Sequence, residues 1–317
     1  MRLIKPLALT TSNVTSNIPL DDAPAWAVGT TYALGAVIYK GVTLYESLVA
    51  DNVGNDPATT NNEVDDEPKW LVLGAVNRWR MFDGMVGSYT EGAAVLPSEI
   101  EVVITFDEMV DSLVLFGLDA TKVTITVSDG VLSETIEPTL YDDPIADMRQ
   151  FYYEPLVQPV QDISFGPKDP DDPANEEGFP FLALTGTITL TIENENRPAR
   201  CGLCLIGRGI EIGSAKYGIS SGILSYSKKI TDEFGRTFLR KGRNAKMMNV
   251  QLFILPGQFS YIQQILSRFD GEAIIWDANQ NGSDQSSFVV YGFSRDFRLV
   301  LQGPGYAECS LDLEGLI

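Results

Sequence analysis

The sequence predicts a mainly β protein, with three modules following an extended N-terminal arm. Three observations carry that expectation. Apolar residues alternate with polar ones over short stretches punctuated by glycine, most cleanly in residues 185–192, where Ile188, Leu190 and Ile192 share one face and threonines the other. Helical spacing is convincing only once, near residue 259. The 44% hydrophobic and 10% aromatic content supplies enough apolar material for packed cores, which excludes wholesale disorder.

Residues 1–22 are polar and β-branched without periodicity, and read as an extended arm. Residues 23–75 form a small β module. Val37-Ile38-Tyr39, then Lys40-Gly41, then residues 42–45 predict a tight hairpin, in which Gly41 can adopt the positive φ of the turn. Residues 76–213 carry strand patterns at 99–106, 112–116, 122–127 and 185–192, which predict an antiparallel β-sandwich. Residues 214–317 change character. Segments 219–229 and 234–240 predict a hairpin around Asp232-Glu233, and 248–255 is a strand ending at Pro256. Phe259, Ile262, Ile265, Leu266 and Phe269 recur at helical steps, and Asp270-Gly271 ends that helix. Strands at 273–276, 288–293, 297–301 and 307–313 follow, the last two joined by a turn at Gly303-Pro304-Gly305. This final module is α+β, with one helix on a sheet.

The chemistry available to the chain is narrow. It has no histidine, which removes the usual general base, the Ser-His and Cys-His nucleophile pairs and the commonest metal ligand. Catalysis would have to rest on carboxylates, lysine or tyrosine; 43 Asp and Glu residues admit a carboxylate-based glycosidase, but no spacing identifies a catalytic pair. The expectation is therefore a non-enzyme without cofactor. Cys201, Cys204 and Cys309 are too few for a disulfide scaffold. Cys201-Gly-Leu-Cys204 has the spacing of a redox or metal pair. It lies in a strand pattern, residues 199–212, where positions three apart face opposite ways, so buried strand thiols are the simpler reading. Residues 168–177 hold Asp169, Asp171, Asp172, Glu176 and Glu177, and read as a solvated acidic loop or as oxygen ligands for calcium. Residues 63–67, and Asp142, Asp143 and Asp147, present the same choice.

Charge is divided unevenly. Residues 1–200 hold 11 basic and 32 acidic side chains, and residues 201–317 hold 12 and 11. Lys228, Lys229, Arg236, Arg240, Lys241, Arg243 and Lys246 cluster in this second part. They read either as a solvated basic hairpin or as a docking surface for an acidic neighbour. With a net charge of −20, nucleic acid is a poor partner. No run of 18 apolar residues predicts a membrane-spanning helix, and the first 18 residues make a poor signal peptide, so synthesis in the cytoplasm is expected.

Two resemblances sharpen the expectation. Trp26, Tyr32, Gly35, Val37, Tyr39, Gly41 and Tyr45, closing with Trp70, resemble in spacing the small chitin-binding modules of chitinases, which also resemble domains of phage tail and fibre proteins. The resemblance covers about a sixth of the chain. It implies a carbohydrate-binding-like module in which Tyr39, Tyr45 and Trp70 are candidate sugar-stacking residues. After Tyr45 the chain departs from that pattern with Glu46-Ser-Leu-Val-Ala50, and the aromatics are equally what so small a unit needs for its core. Residues 76–213 are loosely similar to a galactose-binding-type jelly roll, in fold alone. The order of elements after residue 214, with residues 226–235 and Ala273-Ile-Ile-Trp-Asp277, resembles modules of phage tail-tube, distal-tail and baseplate proteins. These resemblances imply a virion structural protein of the tail tip or baseplate, assembled in the host bacterial cytoplasm. Its partners would be other virion proteins, copies of itself and host surface polysaccharide. A glycan-binding adhesin with no assembly role is the alternative.

Overall fold

Strand formation here follows β-branched and aromatic residues placed at alternate positions, and the computed structural model is accordingly built from antiparallel sheets. It describes residues 1–138, 140, 161–167, 179, 185–255, 257–278, 288–303 and 306–316. Among these, helix is confined to a 3-10 segment at Asn77–Phe82 and one α-helix, α1 (Phe259–Arg268).

The first strand, β1 (Arg2–Pro6), corrects the expectation of a free arm, because Leu3 and Ile4 are fully buried. A second strand, β2 (Val14–Ser16), follows, and Arg78 donates hydrogen bonds to the carbonyls of Ser16 and Ile18. Polar composition hid both strands, since each is short and its pairing partners lie far away in the chain. The small module comprises β3 (Val37–Lys40), β4 (Thr43–Ser47) and β5 (Trp70–Ala75) in one three-stranded sheet, with Gly41 at φ +64° in the expected turn.

The sandwich begins with β6 (Thr90–Glu91), β7 (Ser98–Phe106), β8 (Ser112–Leu118) and β9 (Lys122–Ser128). It continues through β10 (Ser133–Ile136), β11 (Gln161–Phe165) and β12 (Gly186–Asn194). Next come β13 (Arg200–Cys201) and β14 (Leu203–Glu211), separated by the glycine break at Gly202. One layer is the sheet β10-β9-β12-β7-β2, and its inward rows, such as Ile100, Val102 and Ile104 or Ile188, Leu190 and Ile192, are fully buried. These rows share a core with Leu113 and Leu115 of β8, Ile163 and Phe165 of β11, and Ile206 of β14.

The last part of the chain supplies β15 (Ser214–Ala215), β16 (Ser220–Ser225), β17 (Lys228–Thr231), β18 (Thr237–Arg240) and β19 (Asn244–Ile254). After α1 come β20 (Ile274–Asp277), β21 (Val289–Gly303) and β22 (Tyr306–Gly315). The patterns at 288–293 and 297–301 are one long strand, interrupted by an irregularity between Ser294 and Asp296 rather than by a turn. Ile262, Ile265 and Leu266 of α1, with Phe269 just after it, pack into a second core with Val250, Leu252 and Trp276.

The sandwich and this final module are not separate bodies. One ten-stranded sheet runs β11-β8-β14-β1-β20-β21-β22-β19-β15, with β16 also paired to β19. β1 lies at the seam: Leu3 is opposite Ile210 of β14 and Trp276 of β20, and Ile4 is opposite Gly209 and Ile275. Leu3 packs with the helix-bearing core and Ile4 with a third cluster on the other face, beside Val114, Leu205 and Ile275. The sheet curls into a half-barrel. Ser164 of β11 donates to the Asp277 carboxylate of β20 at 3.0 Å, four strands away in sheet order, and Arg2 lies 3.5 Å from the same carboxylate.

Because Ile4 is wholly buried where both halves of the sheet meet, Ile4→Ala is expected to cost ~2–5 kcal/mol of unfolding free energy. In chemical denaturation, fluorescence of tryptophans on both sides of the seam should shift to the same lower midpoint. Loss confined to one side would show the two halves to be independent.

Candidate interaction surfaces

The small module uses its aromatics as a core. Trp70 is 0% exposed, and its indole N–H donates to the Asn55 carbonyl at 3.1 Å. Tyr32 meets the Trp70 ring edge-on at 5.4 Å between centroids, and its hydroxyl accepts the Ala27 N–H at 2.7 Å. Tyr45 and Ile38 complete the cluster, with Tyr45 only 7% exposed. Tyr39 is half-buried on the other side of the hairpin, where it packs with Val42 and Ala75 against the sandwich core that also takes in Leu44. The expected stacking role of Tyr45 and Trp70 is thus corrected: neither offers a ring face to solvent, because a unit this small needs both for its own core. Tyr39 is committed to docking the module on the sandwich. Trp26 is covered by the Lys40 ammonium, 4.5 Å from its ring centroid. Lys40 also pairs with Asp56 at 2.6 Å and, by hydrogen bonding, holds that carboxyl below the usual carboxylate range.

The basic residues expected to dock occupy a different kind of element. β16 pairs with β19, the contact continues through the Tyr226 N–H to the Arg243 carbonyl, and β17 then pairs with β18. The result is a long two-stranded ribbon whose outer half, β17–β18, pairs with no other strand among the described residues. Its tip is specified locally. The Asp232 carboxylate accepts the N–H groups of Phe234 and Arg236, at 3.0 and 2.7 Å, and Gly235 takes φ +76°. Every residue of β17 and β18 is exposed. Lys228, Lys229, Arg236, Arg240 and Lys241 therefore sit together on the ribbon.

Two of the seven belong elsewhere. Arg243 is exposed at the root of the ribbon, with its guanidinium against Gly87. Lys246 is half-buried, lines a cavity with Asp162, and has its pKa lowered by burial. Sequence reasoning grouped them by proximity in the chain and missed that the strand re-enters the body at Asn244. It also passed over the apolar residues of the ribbon. Phe234 is 89% exposed and Leu239 77%, with Ile230 and Phe238 about half exposed. Their interleaving with lysine and arginine was the available signal.

The thiols are inert. Cys201 and Cys204 are free and fully buried, and both lie in the sandwich core. Three-residue spacing on one strand would have put them on opposite faces, but the break at Gly202 lets both turn inward. Burial pushes Cys201 well above the ordinary thiol range, Cys204 up to about 12 and Cys309 up to about 11. Of the acidic loops, Glu63, Asp66 and Glu67 are exposed, whereas 168–177 and Asp142, Asp143 and Asp147 lie outside the described residues. Among the described residues no three His, Cys, Asp or Glu side chains converge as a metal site would require, and no helix is long and apolar enough to cross a membrane.

Compared with known proteins, the chain matches no family model and no curated sequence.

Two outcomes follow from this geometry. Trp70→Ala should destabilise the small module by ~3–5 kcal/mol, as removal of a buried aromatic does, and proteolysis should then cleave first between residues 51 and 69. Cleavage no faster than in the parent would contradict the core role. The thiols should resist a disulfide reagent at pH 8 in the folded protein and react fully in denaturant. Because their folded pKa values are raised, the protonated thiols' contribution is present below pH 9 and lost as pH rises through about 11–12. A denaturation midpoint that stays flat from pH 8 to 11 would contradict it.

Proposed function

We propose that this chain is a non-catalytic structural subunit of a tailed-phage virion, at the tail tip or baseplate, assembling with copies of itself and with other virion proteins. The observation that carries the reading is the ribbon. A two-stranded ribbon by itself is marginal in water, and this one exposes phenylalanine, leucine and isoleucine on its surface. Such a patch in a folded protein marks a protein contact.

Electrostatics favour a particular partner. Residues 228–243 carry six basic and two acidic side chains, a balance of +4, while the chain as a whole stands at −20 and its remainder therefore at −24. A cationic apolar ribbon on a strongly acidic body is complementary to the body of another copy. Contact of one patch with a different patch is heterologous, and repetition closes into a ring or continues as a stack. The long β sheets, the absence of histidine and the resemblance of the final module to tail and baseplate proteins fit this reading. Contact with host surface polysaccharide would be a second property of the same particle.

The test is assembly. Purified protein should show a mass above the monomer by light scattering, at low ionic strength and at micromolar concentration. Lys229→Glu with Arg240→Glu and Lys241→Glu should return it to monomer without changing its thermal midpoint, because these side chains touch no core. High salt should weaken assembly of the parent protein in the same direction. A monomer under all conditions, or a triple variant that assembles normally, would overturn the reading.

A further inference from the structure

The concave side of the half-barrel contains a cavity of about 490 Å³, within the range of small-molecule sites. Strands far apart in sheet order, β11 and β19, both line it, so it exists because the sheet curls. Its apolar wall includes Phe116, Leu203, Val289 and Tyr291, and the Phe116 and Tyr291 rings lie 6.3 Å apart. The residue 86–89 turn forms the rim, where Tyr89 is stacked by the Arg200 guanidinium at 4.6 Å. Glycines 117, 202 and 315 also line it, each where a Cβ would meet neighbouring backbone. A Cβ at Gly202 would come within 2.9 Å of the Phe116 carbonyl, so these strands can approach only without one.

Four charged side chains line this space: Asp119 and Arg200, which are paired with Arg197 and Glu91, and the oppositely charged Asp162 and Lys246. Asp162 accepts the Gly117 N–H at 3.1 Å, and Lys246 is close enough for the two to influence each other's ionisation. Burial works against both charged forms, raising the carboxyl and lowering the ammonium. A purely apolar occupant would desolvate both further without return. A charged occupant would attract one and repel the other. The suitable ligand is neutral, presents an apolar face to the rings, and carries adjacent donor and acceptor groups.

We infer that the cavity binds a neutral pyranose, whose C–H face packs on Tyr291 and Phe116 while two neighbouring hydroxyls bridge Asp162 and Lys246. One hydroxyl donates to the carboxylate and the next accepts from the ammonium. This places glycan recognition in the half-barrel rather than at Tyr45 and Trp70, whose rings are buried. It does not rest on the assembly reading, since every residue involved lies in one chain and none lies on the ribbon's outer half.

The test uses the full chain, and the probes are glucose, galactose, N-acetylglucosamine and the β1,4-linked disaccharides of glucose and of N-acetylglucosamine. Amide and methyl NMR shifts are followed during titration. At least one sugar should give saturable shifts at Leu203, Val289 and Tyr291 in the millimolar range. Asp162→Asn, which preserves shape and the bond from Gly117, should weaken that binding about tenfold, and Tyr291→Ala should abolish it. Phe234→Ser, on the ribbon tip, should leave it unchanged even if assembly is lost, which separates this site from the proposed interface. Cyclohexanol serves as an apolar control. No saturable shift with any of the five sugars overturns the inference. So does cyclohexanol binding as tightly as the best sugar and with equal indifference to Asp162→Asn, which would make the site an apolar cavity.

Discussion

The architecture depends on where the first strand goes. Residues 2–6 enter a gap between β14 and β20, and their backbone groups pair on both sides. Without that strand the ten-stranded sheet would present two unpaired edges at its centre, with buried N–H and C=O groups left unsatisfied. Its side chains divide between two cores: Leu3 goes to the helix-covered face and Ile4 to the concave face. Arg2 adds an ion pair with Asp277, the carboxylate that Ser164 also reaches across the curl. A single strand thus welds the sandwich to the final module and helps to set the curvature that opens the cavity.

From that frame two surfaces follow. On the concave side, curling brings Asp162 and Lys246 to one cavity, although they are 84 residues apart in number and seven strands apart in sheet order. On the outside, β16 lies beside β19 in the sheet, and the pairing runs on through Tyr226 and Arg243 into β17 and β18. The first surface is a half-open concavity, lined by aromatic rings and balanced in charge. The second is open, basic and apolar. Each is a departure from the rule that apolar side chains are covered and ionised ones are solvated, and such departures are where function is sought in a chain without histidine.

Much of the fold was legible because its signals are local. The threonine and isoleucine alternation of β12 announces a strand with one buried face, and the Phe259 to Phe269 stripe announces a helix lying on a sheet. The Gly41 and Gly235 turns are written in their residues. What stayed hidden was long-range. Nothing in Arg-Leu-Ile-Lys-Pro distinguishes a central strand from the start of a linker, since both are short and β-branched. The tip of the ribbon was readable, but its root was not, so Lys246 was grouped with side chains it does not accompany. Tyr45 and Trp70 fit a sugar platform and a miniature core equally well by spacing alone. Burial decides between the two, and burial is a property of the folded unit.

The central claim is that the ribbon is a contact surface, covered when copies of the chain meet. Hydrogen exchange at residues 228–240, followed as protein concentration rises, tests this most directly. The account predicts fast exchange in dilute protein and protection that grows with concentration, in step with the mass in solution, while the amides of β7 and β12 remain protected throughout. Exchange in the ribbon that stays fast while higher-mass species form would place the contact elsewhere and contradict the account.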